Sequence, residues 1–243
     1  MSKKKTNKLA ADSRLTVRQA GQEDIPAISA LSNRVYAETG MEGYSQGAVR
    51  GQLNQFPEGQ FVALVNSTVV GYCATFRISE KIALKAHTWA EITGNGTASR
   101  HDPDGDWLYG MEVCVDPEYR GYRIGQRLYD QRKNTCIDFE LKGIVFGARI
   151  PTLSKRIGKF GSVEAYLDQI QQNKQRDPVI TFQLNNDFEV HGIMPDYMRG
   201  DRESLNYGIL LVWRNPEADA ARRRDGWYWT GDLFYRDTGG FLY

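Results

Sequence analysis

The sequence predicts a mixed α/β (α+β) fold, a central sheet of about seven strands with helices on both faces. Three observations predict it. Apolar runs with the two-residue period of strands alternate with runs of helical period along the chain. One apolar run, "GIVFGARIP", is nearly continuous, as in a central strand covered on both faces. The order strand, helix, helix, hairpin, strand, helix, strand, insertion, short helix, two strands fits one layered sheet rather than a bundle or an all-β sandwich.

Taken in order, the basic stretch "MSKKKTNKLAADS" has no apolar segment behind it and reads as a disordered tail, residues 1–13. "LTVRQA" alternates as a short strand. In "GQEDIPAISALSNRVYAE", Asp24 is a candidate N-cap and Pro26 suits a first turn, with Ile25, Ile28, Leu31, Val35 and Tyr36 at helical spacing. "SQGAVRGQLNQF" is a second helix. "GQFVALVN" and "TVVGYCATFRIS" form a hairpin about Asn66–Thr68. From Glu80 the pattern is poor, "TGNGTASRHDPDGD" is expected to be a long polar loop, and "WLYGMEVCVDP" is the next strand. "IGQRLYDQRKNTCIDFEL" is an amphipathic helix with Ile124, Leu128, Tyr129, Cys136 and Phe139 on one stripe, ended by Gly143. "GIVFGARIP" is expected to be a parallel strand. "SVEAYLDQIQQN" and "DPVITFQLN" are helices, and "DFEVHGIMPDYM" and "LNYGILLVWRN" the closing strands.

Composition narrows function. The 243 residues suffice for a large core, and 41% hydrophobic with 25% charged residues is ordinary for a globular protein. A net charge of +1 provides no global field for nucleic acid or a membrane surface, so neither is an expected partner. No run reaches the ~18–20 apolar residues of a membrane span, and a cytoplasmic location is expected. Cys73, Cys114 and Cys136 lack paired spacing and read as buried reduced thiols. His87, His101 and His191 form no ligand pattern, so no metal is expected.

The chemistry concentrates in "VCVDPEYRGYRIGQRL", Val113 to Leu128. Proline ends the strand by removing a donor. The chain bends and starts a helix whose first N–H groups lack internal partners, and with the helix dipole these make an anion site. Gly121 and Gly125 allow close approach, and Arg120, Arg123 and Arg127 add charge. The expected guest is a phosphate or pyrophosphate. Neither a mononucleotide P-loop nor a dinucleotide fingerprint is present.

This stretch resembles the acyl-CoA pyrophosphate loop of the GNAT N-acetyltransferase superfamily, whose pattern is Arg or Gln, two residues, Gly, one residue, then Gly or Ala. Arg120 and Gly125 match its ends, and Arg123 stands where the family usually has glycine. The resemblance runs from about Leu15 to Asn215. It implies a GNAT-like fold and acetyl-CoA as co-substrate, bound by Val113, Cys114, Val115, Arg120, Gly121, Tyr122, Arg123, Ile124, Gly125 and Gln126. It also implies acetyl transfer to a small-molecule or peptide amine, with the oligomeric state open and a dimer among the options. Glu112 or Tyr109 is the candidate base. The family's usual acid, a tyrosine on the short helix before the last two strands, maps onto Gln183, with Tyr166, Tyr197 and Tyr207 as stand-ins, and Asp187 stands where glycine is common. An acyl-CoA sensor without turnover is the alternative this substitution raises. Glu80 to Asp106 and Thr152 to Asp177, carrying Trp89, His101, Lys155, Arg156, Lys159 and Tyr166, are expected to line the acceptor.

The resemblance is greatest to the GNAT half of fusions with a carbon-nitrogen hydrolase, although nothing after Pro216 supplies a Glu, Lys, Cys set. The tail "RRRDGWYWTGDLFYRDTGGFLY" is instead similar to a fragment of the adenylate-forming acyl-CoA synthetases, in which the residue matching Asp232 binds the ribose of ATP. The domains expected are therefore a GNAT-like unit over 14–215 and a foreign tail over 216–243, joined near Pro216 to Arg224 by fusion or by a frame or assembly error. The tail's aromatics are expected to form a hairpin turning at Asp237–Gly240. As an adenylate-forming fragment the chain lacks an adenine pocket and phosphate loop, which makes that the weakest reading.

Overall fold

The computed structural model describes residues 14–37 and 39–221, with the backbone alone from 219, and three short strand segments beyond them. The expected tail over 1–13 lies outside the described residues. A seven-stranded sheet organises the chain. Strand β1 (Leu15–Gln19) leads into α1 (Ile25–Tyr36) and α2 (Gln46–Gln55). The hairpin β2 (Gln60–Val65) and β3 (Thr68–Ile78) follows, then α3 (Glu80–Ala83), α4 (Trp89–Thr93), β4 (Trp107–Val115) and α5 (Ile124–Asp138). After β5 (Gly143–Ala148) come α6 (Leu153–Phe160), α7 (Val163–Gln171) and α8 (Pro178–Leu184), and β6 (Glu189–Met194) and β7 (Gly208–Arg214) close the sheet. Its order is β1-β2-β3-β4-β5-β7-β6. Among the described residues only β4–β5 is a parallel pair, so the expectation for β5 holds on one edge and fails on the other, where it runs antiparallel to β7.

The alternation of β2 shows why both faces of the sheet are covered. Val62 and Leu64 join the main core with Ile25, Ile28 and Leu31 of α1 and Val49 of α2. Phe61, Ala63 and Val65 point the other way, to Ile124 and Leu128 of α5. With every residue of β2 buried, the strand reads as unbroken apolar sequence after Gln60.

Several local expectations are corrected. Asp24 does not cap α1 with its side chain. Its carboxylate instead accepts from the Gly21 N–H at 2.8 Å and pairs with Arg18 at 2.6 Å, holding the turn out of β1. Glu140, in the left-handed region at φ 52°, ends α5 before Gly143, which opens β5. Phe139 lies off the buried stripe, 36% exposed, edge-on to Phe56. The poorly patterned stretch from Glu80 forms α3 and α4, the latter opened by a capping box between Thr88 and Glu91. Helix α6 was not expected at all.

Beyond β7 lie α9 (Pro216–Ala221) and the strands β8 (Arg223–Arg224), β9 (Trp227–Trp229) and β10 (Phe234–Arg236), paired antiparallel in the order β10-β9-β8. β9 and β10 pair antiparallel, Trp229 opposite Phe234, on the near side of the Asp237–Gly240 turn suggested by the sequence. That tetrapeptide, like Asp232, lies outside the described residues.

Candidate functional site

The site begins with strands that separate. β4 pairs with β5 only at Leu108↔Ile144 and Tyr109↔Val145. Beyond Tyr109 the two strands diverge, while β4 stays paired to β3 as far as Val115. A bulge helps to turn β4: Ala74 faces Glu112 and Thr75 faces Gly110, so Met111 is the extra residue. The divergence opens a cleft of about 1770 Å³.

One wall is β4 itself, from Gly110 to Val115. Val113 and Val115 are half-buried there, and Cys114 is buried. Burial pushes the Cys114 thiol well above its ordinary range, so it stays protonated there.

The turn after β4 is built tightly. Asp116 accepts from the Glu118 N–H at 3.0 Å and from Arg34 of α1 at 3.0 Å, tying the turn to the opposite helix. Arg120, Gly121 and Arg123 to Gln126 then line the cleft mouth. Arg123 is the N-cap of α5, at φ 58°, without a side-chain cap bond. It adopts the left-handed conformation that glycine takes easily, which accounts for glycine at this place in related loops. The helix provides no carbonyl for the N–H groups of Ile124, Gly125 and Gln126, and its first backbone bond at this end is Arg127 N–H to Arg123 O at 3.1 Å. Tyr122 departs from expectation: it is half-buried against the small core cluster and does not line the cleft.

Glu112 and Tyr109 separate clearly. Glu112 is half-buried on the cleft wall and accepts from the Tyr36 hydroxyl at 2.7 Å. Burial pushes its carboxyl up to about 7, an effect that the Tyr36 hydrogen bond and the nearby Arg132 offset only in part. Tyr109 is fully buried outside the cleft lining, bonded to His87 Nε2 at 2.9 Å and facing the Tyr197 hydroxyl at 3.3 Å. Burial raises its phenol well above the ordinary value. Tyr109 therefore stands behind Tyr197 rather than on the cleft wall, and does not itself face the cleft.

Gln183 of α8 reaches the cleft, 7% exposed, and its Oε1 has no hydrogen-bond partner among the described residues. Beside it, Phe182 packs toward Gly125, where an added Cβ would lie 3.2 Å from Phe182 Cζ. Among the stand-in tyrosines only Tyr197 lines the cleft. Its ring fills a slot between Gly147 and Gly208, and its hydroxyl donates to Gly147 O at 3.1 Å. Tyr166 is buried against Thr152, and Tyr207 packs on the core.

From the first insertion, Trp89 and Glu91 of α4 line the cleft. The second insertion does not contribute: Lys155, Arg156 and Lys159 are exposed and outside the lining, and Asp196 to Gly200 with Glu203 take that place. Sequence reasoning also missed Arg132 and Arg149. Arg149 lines the cleft and forks onto Asp201 at 2.6 and 2.7 Å, with Glu203 at 3.1 Å.

Comparison with known proteins bears on family and fold. The pattern of the Acetyltransferase (GNAT) family matches residues 27–149. The chain belongs to the GNAT acetyltransferase family. It is 35% identical over 206 residues to a Bacillus subtilis protein named "Probable hydrolase YhcX", a match covering 85% of this chain and 40% of that relative's length. It is 29% identical over 203 residues to the "Uncharacterized N-acetyltransferase YkwB" of the same organism, covering 83% of this chain and 89% of the relative. A 31-residue stretch is 58% identical to the "Steroid-22-oyl-CoA synthetase" of Rhodococcus jostii, 6% of that protein, in keeping with the resemblance of the tail. Among solved structures, the loading GNATL domain of CurA from Lyngbya majuscula shares the fold, with a TM-score of 0.71 at 18% identity over 84% of this chain and 99% of that one. The GphF GNAT-like decarboxylase, solved with isobutyryl-CoA, gives 0.70 at 23% identity over 82% and 99%. Both support the GNAT-like, seven-stranded architecture. Among the described residues no helix is long and apolar enough to cross a membrane.

Proposed function

We propose that the chain is an acyl-CoA-dependent acyltransferase that moves an acetyl group from acetyl-CoA to an amine. One observation carries this: the uncapped N-terminus of α5 and the unpaired edge of β4 open into the same cleft. In this reading the amides of Ile124 to Gln126, with Arg120 and Arg123, hold the pyrophosphate. Val113 and Val115 bind the pantetheine arm through their main chain, and a β4 amide polarises the thioester carbonyl. Glu112 takes the proton from the attacking amine, directly or through a water. A carboxylate titrating near neutrality suits that role, because base strength and the ionised fraction are then both useful at working pH. Holding the two reactants together contributes up to roughly 7–11 kcal/mol of barrier reduction.

The acyltransferase unit spans 14–215, and the tail over 216–243 is foreign to it. Calorimetry with coenzyme A, on the intact chain and on a version ending at Asn215, tests binding and this division together. Equal affinities support both, and no binding by either refutes the reading. Thiol release from acetyl-CoA across a panel of amines tests transfer. A second reading, binding without turnover, is favoured by Gln183, since a carboxamide cannot protonate the departing thiolate. Amine-dependent thiol release eliminates it.

A further inference from the structure

Arg132 is the least expected residue of the site. It lies in the middle of α5, 1% exposed, where the helix packs on the sheet. It forms no ion pair among the described residues, and its Nε has no hydrogen-bond partner. Its Nη2 donates to Glu112 O at 2.7 Å and to Ala74 O at 3.3 Å, the two residues paired across β3 and β4 at the bulge. The guanidinium also lies 5.0 Å from the centroid of the Tyr129 ring and 5.7 Å from that of Phe146. Gly110 leaves the room: a Cβ there would stand 2.7 Å from Arg132 Nη1.

Stability does not account for such a group. Burying a charge without a counter-ion is costly, and an apolar side chain of similar volume commonly does as well or better in a core. What the arrangement does provide is a fixed positive charge directly behind the strand that carries Glu112. We propose that Arg132 is a positioning residue for acyl transfer: it pins the β4 bulge and supplies the field that keeps Glu112 a carboxylate at the cleft wall. This rests on the reading of Glu112 as the base.

The other groups around Glu112 cannot replace that charge. Arg149 is the second cation felt there, but Asp201 and Glu203 already neutralise it. From α1 comes the Tyr36 hydroxyl, and from the segment after α1 comes Tyr44. β3 contributes Tyr72 and Cys73, β4 contributes Cys114, and the segment after β6 contributes Tyr197. All of these hold their protons at neutral pH. Burial drives Glu112 towards its neutral form, and Arg132 is the uncompensated opposing charge.

Carbon-13 NMR of the Glu112 carboxyl, assigned through Glu112→Gln, tests the proposal without an acceptor. The wild-type midpoint should lie at about 7. Arg132→Lys, which keeps the charge, should stay within about half a pH unit of it, and Arg132→Met should rise by about one unit or more, a tenfold change. If Arg132→Met does not fold, Arg132→Gln, neutral but able to donate to a carbonyl, gives the same reading. Midpoints in the neutral variants within about 0.3 unit of wild type overturn the proposal. Undiminished acetyl transfer by Glu112→Gln overturns the base reading instead, and leaves the titration result standing by itself.

Discussion

Replacing Glu112 by Gln should make the protein more stable at alkaline pH while impairing transfer. The folded protein holds the Glu112 proton up to about 7, whereas the unfolded chain releases it near the ordinary 4.5. Folding therefore takes up a proton between those values. The stability this group contributes is complete below the lower value and is lost as pH rises through the higher one. At about 1.4 kcal/mol per pH unit, the interval corresponds to a penalty of about 3 kcal/mol on the ionised protein at pH 8. That is an upper figure, because Glu112 is only half-buried and water screens part of the charge. Glutamine fills the same volume, can accept the Tyr36 hydroxyl bond, and never pays this penalty.

The assay is urea unfolding of both proteins in steps between about pH 4 and pH 9. The two curves should coincide at the acid end and separate through neutrality, with the variant ahead by up to about 3 kcal/mol at the alkaline end. Thiol release should fall by about 10²–10⁴-fold, the usual contribution of a positioned base. A variant equal to or weaker than wild type at pH 8 would refute the reasoning, since it would mean that the cleft favours the charge at Glu112. The price in stability would then be absent, and with it the sign that this carboxylate is kept for chemistry.

Arg123→Gly should relieve a left-handed residue of roughly 1 kcal/mol of strain and leave the melting temperature unchanged or higher. Its affinity for coenzyme A should fall severalfold, and less so at high salt, which calorimetry at two ionic strengths checks. Gly125→Val should weaken coenzyme A binding by at least about tenfold, because the new side chain presses on Phe182 and narrows the approach to the α5 amides; unaltered affinity would place the pyrophosphate elsewhere. Asp201→Asn should cost about 3 kcal/mol at neutral pH by leaving Arg149 partly unpaired. Burial raises the Asp201 carboxyl, but the Arg149 and Ser204 hydrogen bonds outweigh it and hold the group below its ordinary value. Its contribution is therefore present above that ordinary value and lost as pH falls through the folded one, so the two proteins should converge in acid.

The elements of the sheet could be read from apolar period because side chains report which face they bury. The turn after β4 was readable for a related reason: a proline, glycines and arginines each leave a mark on sequence. The separation of β4 from β5 leaves none. It is a main-chain event, and "WLYGMEVCV" looks the same whether or not its far edge is paired. The bulge at Met111 is equally silent, yet it brings the Ala74 and Glu112 carbonyls onto one arginine. That explains why Arg132 escaped a reading by helical stripe. A charged residue within an amphipathic helix is assigned to solvent by default, and only the glycine at 110 on another strand shows that a guanidinium can be housed behind it. The setting of Tyr197 is equally hidden, since its slot is made by Gly147 and Gly208. In both cases the residue that does the work is conspicuous, and the absence of a side chain that permits it is what sequence period cannot weigh. Enlarging Gly110 to Ala should therefore act on the bulge through Arg132: the displaced guanidinium would lose its bond to Glu112 O but keep its charge, and the carboxyl midpoint should stay closer to wild type than in the neutral Arg132 variants.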